Sequence, residues 1–502
     1  MKKHDRMLIN KLFIILFIGF GFLLTPTLTV KMTNAQQSII TDRITSSPKN
    51  IEPMIAAIQS VSKLSAETKS SSTDGYRLLI ITPSTFVKAL QPLVTHKLTM
   101  GMSTKLVTLD EIYRQMFWHG RDDAEKVKYF IKTAIEEWGI RYVLLVGGRS
   151  SQFFPIWYCP VRYVAMVDDW DRQVLSDLYF ADIYDSKGNF SSWDSDNNGV
   201  YGEWYPGQTA RDTDIDFIPD VAVGRLPCRS VQEVKTMVDK IITYETTSYD
   251  QSWFNTFLVA AGDTYPESEN PNWTGAEGEY YGDRAIENLS GFIPVRLYTS
   301  DGTFSNKEDI IREFRKGSGF TYLVGHGSPK QWGNHPFNNT EFIQGPNTND
   351  MWRFRNQNRL PVCVVSGCHN NQFDVCLIRT LNASDIYKQE NVPECWSERI
   401  LRVPSGGAIA ALGCTGLGYT KEDKSTFQGG INVLEGAFFH AYGQQHIKII
   451  GDTWAAAISW YAQMFPVNWS TQAFGDSWID TKVIQSWALL GDPSLQIGGY
   501  PR

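Results

Sequence analysis

Short apolar runs alternate with helical patterns from residue 76 onward. Residues 77–82, 105–109 and 142–146 are runs of strand length, and residues 122–138 carry their apolar side chains on one helical stripe. Strands alternating with amphipathic helices are typical of a mainly parallel sheet covered by helices.

A second series of the same kind follows an irregular region. Residues 150–218 are rich in Asp, Trp, Tyr and Gly and break the alternation, which returns near residue 221. Further strands are predicted at 256–261, 293–298, 320–324, 361–365 and 408–412. The predicted fold class is therefore α/β, with two consecutive subdomains, 76–248 and 249–502, each holding a mainly parallel sheet covered by helices.

Two helices carry predicted start signals. Ser230 with Glu233, and Ser305 with Glu308, have the spacing of a capping box, in which each residue satisfies a free backbone amide of the first turn.

The N-terminus has the pattern of a targeting segment. Lys2, Lys3, Arg6 and Lys11 precede the apolar run 12–24, and small residues follow at 33–35. The run is shorter than the ~20 residues of a membrane span and suits a signal peptide. We expect residues 1–35 to be a signal peptide, cleaved or retained as an anchor. Residues 36–75, rich in Ser, Thr, Lys and Gln, are expected to be a linker or propeptide. The predicted location is secreted or cell surface.

Composition narrows the class of protein. Of 502 residues, 42% are hydrophobic and 20% charged, which excludes a wholly disordered chain. The net charge is −7 and no Lys/Arg-rich block is present, so we expect no nucleic-acid partner.

No later stretch is apolar enough to span a bilayer, and we expect a monomer. The seven Cys are an odd number, so at least one thiol has no intramolecular partner.

Candidate chemistry lies after two successive strands. His326 follows the apolar run 320–324 between two glycines, and Cys368 follows 362–365 after Gly367. Open parallel sheets bind ligands beyond the carboxyl ends of their strands. A thiolate can attack there, an imidazole can pass a proton to the leaving amine, and nearby amides can bind the oxyanion. Alternatively, the histidine is structural and the cysteine is a small core residue, as we expect for Cys363 within its strand.

Four segments resemble the gingipain family of cysteine peptidases, peptidase family C25. They are GHGS, SGCHNNQFD, VAVGRLPCRSVQEVKTMVDKIITYE and LLGDPSLQI, and the resemblance spans residues 76–497. It implies a caspase-like fold of two α/β subdomains with the catalytic dyad in the second. Cys368 would be the nucleophile, His326 the general acid/base, and the amides of Gly327 and Cys368 the oxyanion hole.

The resemblance also implies roles for acidic residues. Asp263 matches, within one residue, the place of a carboxylate that orients the histidine, although it is also a natural turn residue. Family members that cleave after basic residues use a further acidic residue, for which Glu279 or Glu277 is the candidate. The alternative for these two is a solvated position in a first helical turn, where carboxylates suit the helix dipole.

A second constellation favours calcium. Asp194, Asp196 and Asn198 alternate before Gly199, and Glu203 follows, so that oxygen ligands converge in a tight loop. The acidic residue stands at the tenth position instead of the twelfth, which predicts a calcium loop but not an EF-hand. Asp182, Asp185 or Asp214 would complete the shell of a structural Ca2+ ion. The alternative is a turn without an ion.

The sequence thus favours an exported, calcium-binding cysteine endopeptidase that cleaves protein or peptide substrates through an acyl-enzyme. Two other functions remain open: a non-catalytic calcium-binding surface protein on the same scaffold, and a transpeptidase or ligase that uses the same dyad.

Overall fold

A computed structural model of the chain describes residues 75–268, 275–421 and 428–501. The predicted signal peptide (1–35) and all but the last residue of the predicted linker or propeptide (36–75) lie outside the described residues. Within the described ranges, no helix combines the length and apolar character that crossing a bilayer requires.

The N-terminal half contains two kinds of element. Its strands are β1 (Leu78–Thr82), β2 (Thr104–Thr108), β3 (Tyr142–Val146), β4 (Tyr163–Val164), β5 (Val174–Leu175) and β6 (Ala222–Leu226). Its α-helices are α1 (Val87–Thr99), α2 (Leu109–Gln115), α3 (Asp123–Trp138) and α4 (Val231–Thr247).

The C-terminal half continues in the same way. Its strands are β7 (Thr256–Ala261), β8 (Ile293–Tyr298), β9 (Phe320–Val324), β10 (His326–Gly327), β11 (Gln331–Asn334), β12 (Ile343–Asn347), β13 (Val362–Ser366), β14 (Ala410–Cys414) and β15 (Trp487–Leu490). Its α-helices are α5 (Glu277–Asn288), α6 (Lys307–Phe314), α7 (Ala383–Tyr387), α8 (Trp396–Leu401), α9 (Ile431–Gly443), α10 (Ile450–Met464) and α11 (Asp476–Ser486). Short 3-10 helices span Ser84–Phe86, Asp177–Phe180, Ser252–Asn255, Thr348–Arg353 and Leu377–Leu381.

The main sheet has ten strands in the order β2-β1-β3-β6-β15-β14-β13-β9-β7-β8. Every neighbouring pair is parallel except β14 with β15. All residues of β1, β3, β9 and β13 are buried, because helices cover both faces. The predicted α/β class with a mainly parallel sheet is confirmed.

The two predicted strand series are hydrogen-bonded into one sheet. The C-terminal strand β15 pairs antiparallel with β14 and joins β6 through Leu490 opposite Arg225. The sequence pattern does not reveal this strand, because a run of four buried residues is too short to show a period.

Helix ends follow local hydrogen bonding. Ser230 caps α4 and accepts from the amide of Glu233 at 3.2 Å, but the predicted capping box is only half formed, because the Glu233 carboxylate accepts from the Arg229 amide. The cap predicted at Ser305 with Glu308 is wrong by one residue, because Asn306 begins α6 and forms the capping box with Asp309. Asparagine is as good an N-cap as serine, so either register fits the sequence.

A small antiparallel sheet, β10-β11-β12, extends from the end of β9. His326 pairs with Gly333, and Gly327 pairs with Trp332, which is fully buried. The main chain that carries His326 is therefore held on one side by a strand ladder.

Candidate active site

Parallel pairing brings the two sequence motifs to one edge of the sheet. Strands β9 and β13 are neighbours in which Val324 lies opposite Ser366, and the Gly325 amide donates to the Ser366 carbonyl at 3.0 Å. His326 and Cys368 each follow this aligned pair by two residues. The register alone therefore places them at neighbouring strand ends.

Glycines let these two strand ends touch through their backbones. A Cβ atom on Gly367 would lie 2.9 Å from Gly327 Cα and 3.0 Å from Gly327 N. A Cβ atom on Gly327 would lie 2.7 Å from the Cys368 carbonyl oxygen and 2.1 Å from Asn370 Oδ1. Both distances on Gly327 are shorter than packed atoms tolerate, so this position requires glycine for space.

Asn370, two residues after Cys368, stabilises this contact through hydrogen bonds. Its buried side-chain amide donates to the carbonyl oxygens of Ser328 at 2.8 Å and Gln331 at 3.0 Å. The first carbonyl belongs to the turn between β10 and β11, and the second to the first residue of β11. Asn370 stands in the segment SGCHNNQFD, but nothing in the spacing of that segment reveals that its side chain bonds to backbone carbonyls.

Cys368 and His326 line a common cleft of about 420 Å³, together with residues of α9 and the 418–420 segment. Cys368 is half-buried, and its Sγ accepts from the amide of Gly418 at 3.3 Å. All seven cysteines fall within the described ranges as free thiols, and the other six are buried. Cys368 is therefore the thiol that a reagent in the cleft can reach.

His326 is held in one tautomer. Its Nε2 lies 2.7 Å from the carbonyl oxygen of Thr264. A carbonyl only accepts, so Nε2 carries the proton and Nδ1 keeps a free lone pair. Desolvation, with the nearby His335, lowers the pKa of His326 to about 4 despite this bond. The imidazole is therefore neutral at neutral pH and can act as a base.

Asp263 is placed differently from its predicted role. Its carboxylate accepts from the amide of Asn338 at 2.6 Å, and among the described residues no hydrogen bond joins it to His326. The contact predicted for Asp263 is made by the main-chain carbonyl of the next residue, Thr264. A backbone acceptor has no signature in the sequence, which explains the one-residue error.

The two candidate substrate-binding carboxylates differ in their position relative to the cleft. Glu277 is buried at 2% exposure and lines the cleft. Burial raises its pKa to about 9, with a further contribution from a hydrogen bond to Asp263 and the charge of that residue. Glu279 does not line the cleft, because its carboxylate accepts from the Ser300 amide at 2.9 Å and the Thr299 hydroxyl at 3.2 Å.

The predicted calcium loop brings three carboxylates together. Oxygens of Asp194, Asp196 and Asp212 lie within 4.8 Å of one another. Asn198 and Glu203 lie beside them and are hydrogen-bonded to each other. Burial, with the charges of Asp194 and Asp196, raises the pKa of Asp212 to about 6.

The residues predicted to complete this shell are not part of the group. Asp182 is buried elsewhere, where it accepts from the indole of Trp193 at 3.2 Å, and Asp185 and Asp214 lie outside the cluster. Asp212 takes their place. Asp212 lies outside the predicted loop, which runs from Asp194 to Glu203, so the spacing within the loop could not reveal it. Arg121 forms an ion pair with Asp194 and balances part of the negative charge.

Comparison with known proteins gives one family. The model of peptidase family C25 matches residues 71–498. Gingipain R2 of Porphyromonas gingivalis is 22% identical over 432 residues, covering 84% of this chain and 46% of the gingipain. An uncharacterised protein of Archaeoglobus fulgidus is 27% identical over 218 residues, covering 40% of this chain and 48% of that protein. The chain thus spans about half the length of each of these relatives.

Among solved structures, the crystal structure of the Arg-specific cysteine proteinase gingipain R matches with a TM-score of 0.56. The identity is 17%, over 85% of this chain and 79% of that one. At this identity the match shows the fold, which is the caspase-like architecture expected from the sequence.

We expect Gly327→Ala to lower the free energy of unfolding by about 1–3 kcal/mol, because the added methyl group overpacks the contact between the strand ends. Urea denaturation measures the change. Gly436→Ala is the matched control: its Cβ would meet no atom within 4 Å, in the middle of α9. That variant should be neutral or slightly stabilising, and equal destabilisation of both proteins would contradict the assigned contact.

Proposed function

This chain belongs to peptidase family C25, and we propose that it is a cysteine endopeptidase that hydrolyses peptide bonds through Cys368 and His326. The observation that carries the proposal is the meeting of one half-exposed thiol and one neutral imidazole in a single cleft. The six other thiols are buried, so no second cysteine competes for the role.

The geometry supports a defined proton path. Cys368 Sγ attacks the scissile carbonyl carbon, and the thiol proton passes to Nδ1 of His326. The same nitrogen then donates this proton to the leaving amine as the C–N bond breaks, which leaves a thioester. Water attacks the thioester, gives a proton to His326, and releases the acid; the proton returns to the sulfur. Throughout the cycle, the Thr264 carbonyl accepts from Nε2 and supports the transient positive charge.

Backbone amides are the proposed oxyanion hole. Gly327 lies on the strand end that touches the residue before the proposed nucleophile, and Cys368 carries that nucleophile itself. Donors fixed by a rigid backbone need no reorganisation when negative charge develops on the substrate oxygen.

Cys368→Ala should abolish peptide hydrolysis and leave the melting temperature nearly unchanged, because it removes one half-buried sulfur atom. A peptide chloromethyl ketone should label the parent protein at Cys368 alone, as read by mass spectrometry of its peptides. Cys363→Ala, in the core of β13, is the control and should retain both hydrolysis and labelling.

Hydrolysis that persists in Cys368→Ala would refute the nucleophile. A parent protein that is folded but neither labelled nor active would support the non-catalytic scaffold. Product analysis with an added amine would distinguish hydrolysis from transpeptidation, since both pass through the same thioester.

We further propose that Glu277 selects a basic side chain on the amino side of the scissile bond. The carboxyl lies in the cleft wall and shares a hydrogen bond with Asp263. An arriving guanidinium or ammonium group favours the ionised carboxylate and replaces that hydrogen bond with a charged one.

Glu277→Gln should lower kcat/KM about 10- to 100-fold for peptides with Arg or Lys at this position, because a charged hydrogen bond is lost. A cleavage profile across a peptide library measures the selectivity. Glu279→Gln is the matched control from the same helical turn, and its profile should match the parent protein. Strong cleavage after Leu, with none after Arg or Lys, would remove this role from Glu277.

We also propose a structural Ca2+ ion held by Asp194, Asp196 and Asp212, with Asn198 and Glu203 beside it. The donor set suits the ion, because calcium prefers several carboxylate and amide oxygens. Burial, followed by the charges of Asp194 and Asp196, raises the pKa of Asp212 and so disfavours its ionised form. A divalent cation would offset this cost.

Calcium at a hundredfold excess over its Kd should stabilise the chelator-treated protein by about 3 kcal/mol. Calorimetric melting with and without calcium measures the effect. Asp212→Asn should lose the response, and Asp214→Asn, at a charge outside the cluster, should keep it. A melting temperature that calcium does not change would refute the site.

Finally, we propose that the protein is exported, to the medium or the cell surface, and acts as a monomer. The basic start and short apolar run of residues 1–35 support export.

A further inference from the structure

The residue after the proposed nucleophile is a buried histidine that the mechanism above does not use. His369 is 3% exposed, and its amide donates to the Gly416 carbonyl at 2.9 Å. Its backbone has φ of +60°, a left-handed conformation that few non-glycine residues adopt. The side chain is therefore held in a fixed place immediately beside Cys368.

A carboxylate from the N-terminal half anchors this imidazole. His369 Nε2 lies 2.9 Å from Asp171 Oδ1, and the other oxygen of Asp171 accepts from the Leu417 amide at 2.6 Å. Lys482 of α11 lies 3.0 Å from that second oxygen and also contacts Asp168. These side chains are all buried.

The neighbouring charged groups determine the protonation state of His369. Burial alone would favour the neutral ring, but the charge and hydrogen bond of Asp171, followed by a hydrogen bond with Cys368, raise its pKa to about 10. The other charged groups nearby are Asp168 and Lys482, which offset each other, and Glu390, whose pKa is raised by burial although the charge of His369 acts against that rise. The ring of Trp170 lies 6.2 Å from the imidazole. The outcome is a buried cation on the residue next to Cys368.

The two histidines at Cys368 thus differ in charge. His326, whose hydrogen-bond partner is a carbonyl, is neutral at neutral pH; His369, whose partner is a carboxylate, is not. Neutral His326 carries no charge that could stabilise a thiolate on Cys368. The fixed positive charge of His369 can stabilise it.

We infer that His369 is a positioning residue that holds a permanent positive charge against Cys368, oriented by Asp171 and Lys482. The charge lowers the cost of the negative sulfur that forms as the thiol proton passes to His326, and His369 itself neither gains nor loses a proton. This inference rests on the proposed function, in which Cys368 is the nucleophile.

Thiol alkylation tests the inference without any peptide substrate. We expect His369→Gln to shift the pH midpoint of iodoacetamide alkylation at Cys368 upward by about one unit, since a nearby opposite charge is lost. His96→Gln is the matched control, because His96 makes a similar buried contact with Glu245 at 2.8 Å, on α1 and away from the cleft. It should lose stability without moving the midpoint.

The parent protein supplies a second readout if His369→Gln does not fold. Iodoacetate is an anion and iodoacetamide is neutral, so a cation beside the sulfur raises their rate ratio above that of a free thiol such as glutathione. The excess should shrink as salt is added. In addition, the NMR signal of the His369 ring should show no titration around neutral pH.

A rate ratio equal to that of glutathione, or an unchanged midpoint in a folded His369→Gln protein, would overturn the inference. Failure of the proposed function looks different: the parent protein would show the raised ratio and His369→Gln the shifted midpoint, but the parent protein would hydrolyse no peptide.

Discussion

The direct backbone contact between the ends of β9 and β13 is the constraint on which the site depends. Gly327 and Gly367 approach so closely that a side chain on Gly327 would overlap the Cys368 carbonyl. The parallel register of the two strands brings the ends level, and Asn370 fastens them. The thiol and the imidazole share a cleft because they stand on these two joined strand ends.

Much of this arrangement could be predicted from the sequence, for a physical reason. Strands buried on both faces are continuous apolar runs, and a Gly-flanked polar residue directly after such a run marks the functional edge of the sheet. His326 and Cys368 were found in this way. Strand β15 was missed because four residues show no period, and the carbonyl of Thr264 was missed because main-chain atoms are the same at every position.

The roles of the carboxylates were harder to predict from the sequence than those of the thiol and the imidazole. Glu277 and Glu279 stand in one helical turn and differ only in which side of it they face. Asp212 joins Asp194 through tertiary folding and not through loop spacing. An acidic residue is common in turns, caps and sites alike, so its type carries little information until its neighbours in space are known.

The charges around Cys368 connect the two halves of the chain. Both members of the proposed dyad lie in the C-terminal half, yet the carboxylate that contacts the His369 ring is that of Asp171, 198 residues earlier. Strand β15 joins the two strand series, and Lys482 lies on the helix directly before that strand. On the inference drawn for His369, the C-terminal half alone would keep its thiol and its base but lose the cation that supports the sulfur. On the same inference, the N-terminal half supports the proposed chemistry although it holds neither reacting group.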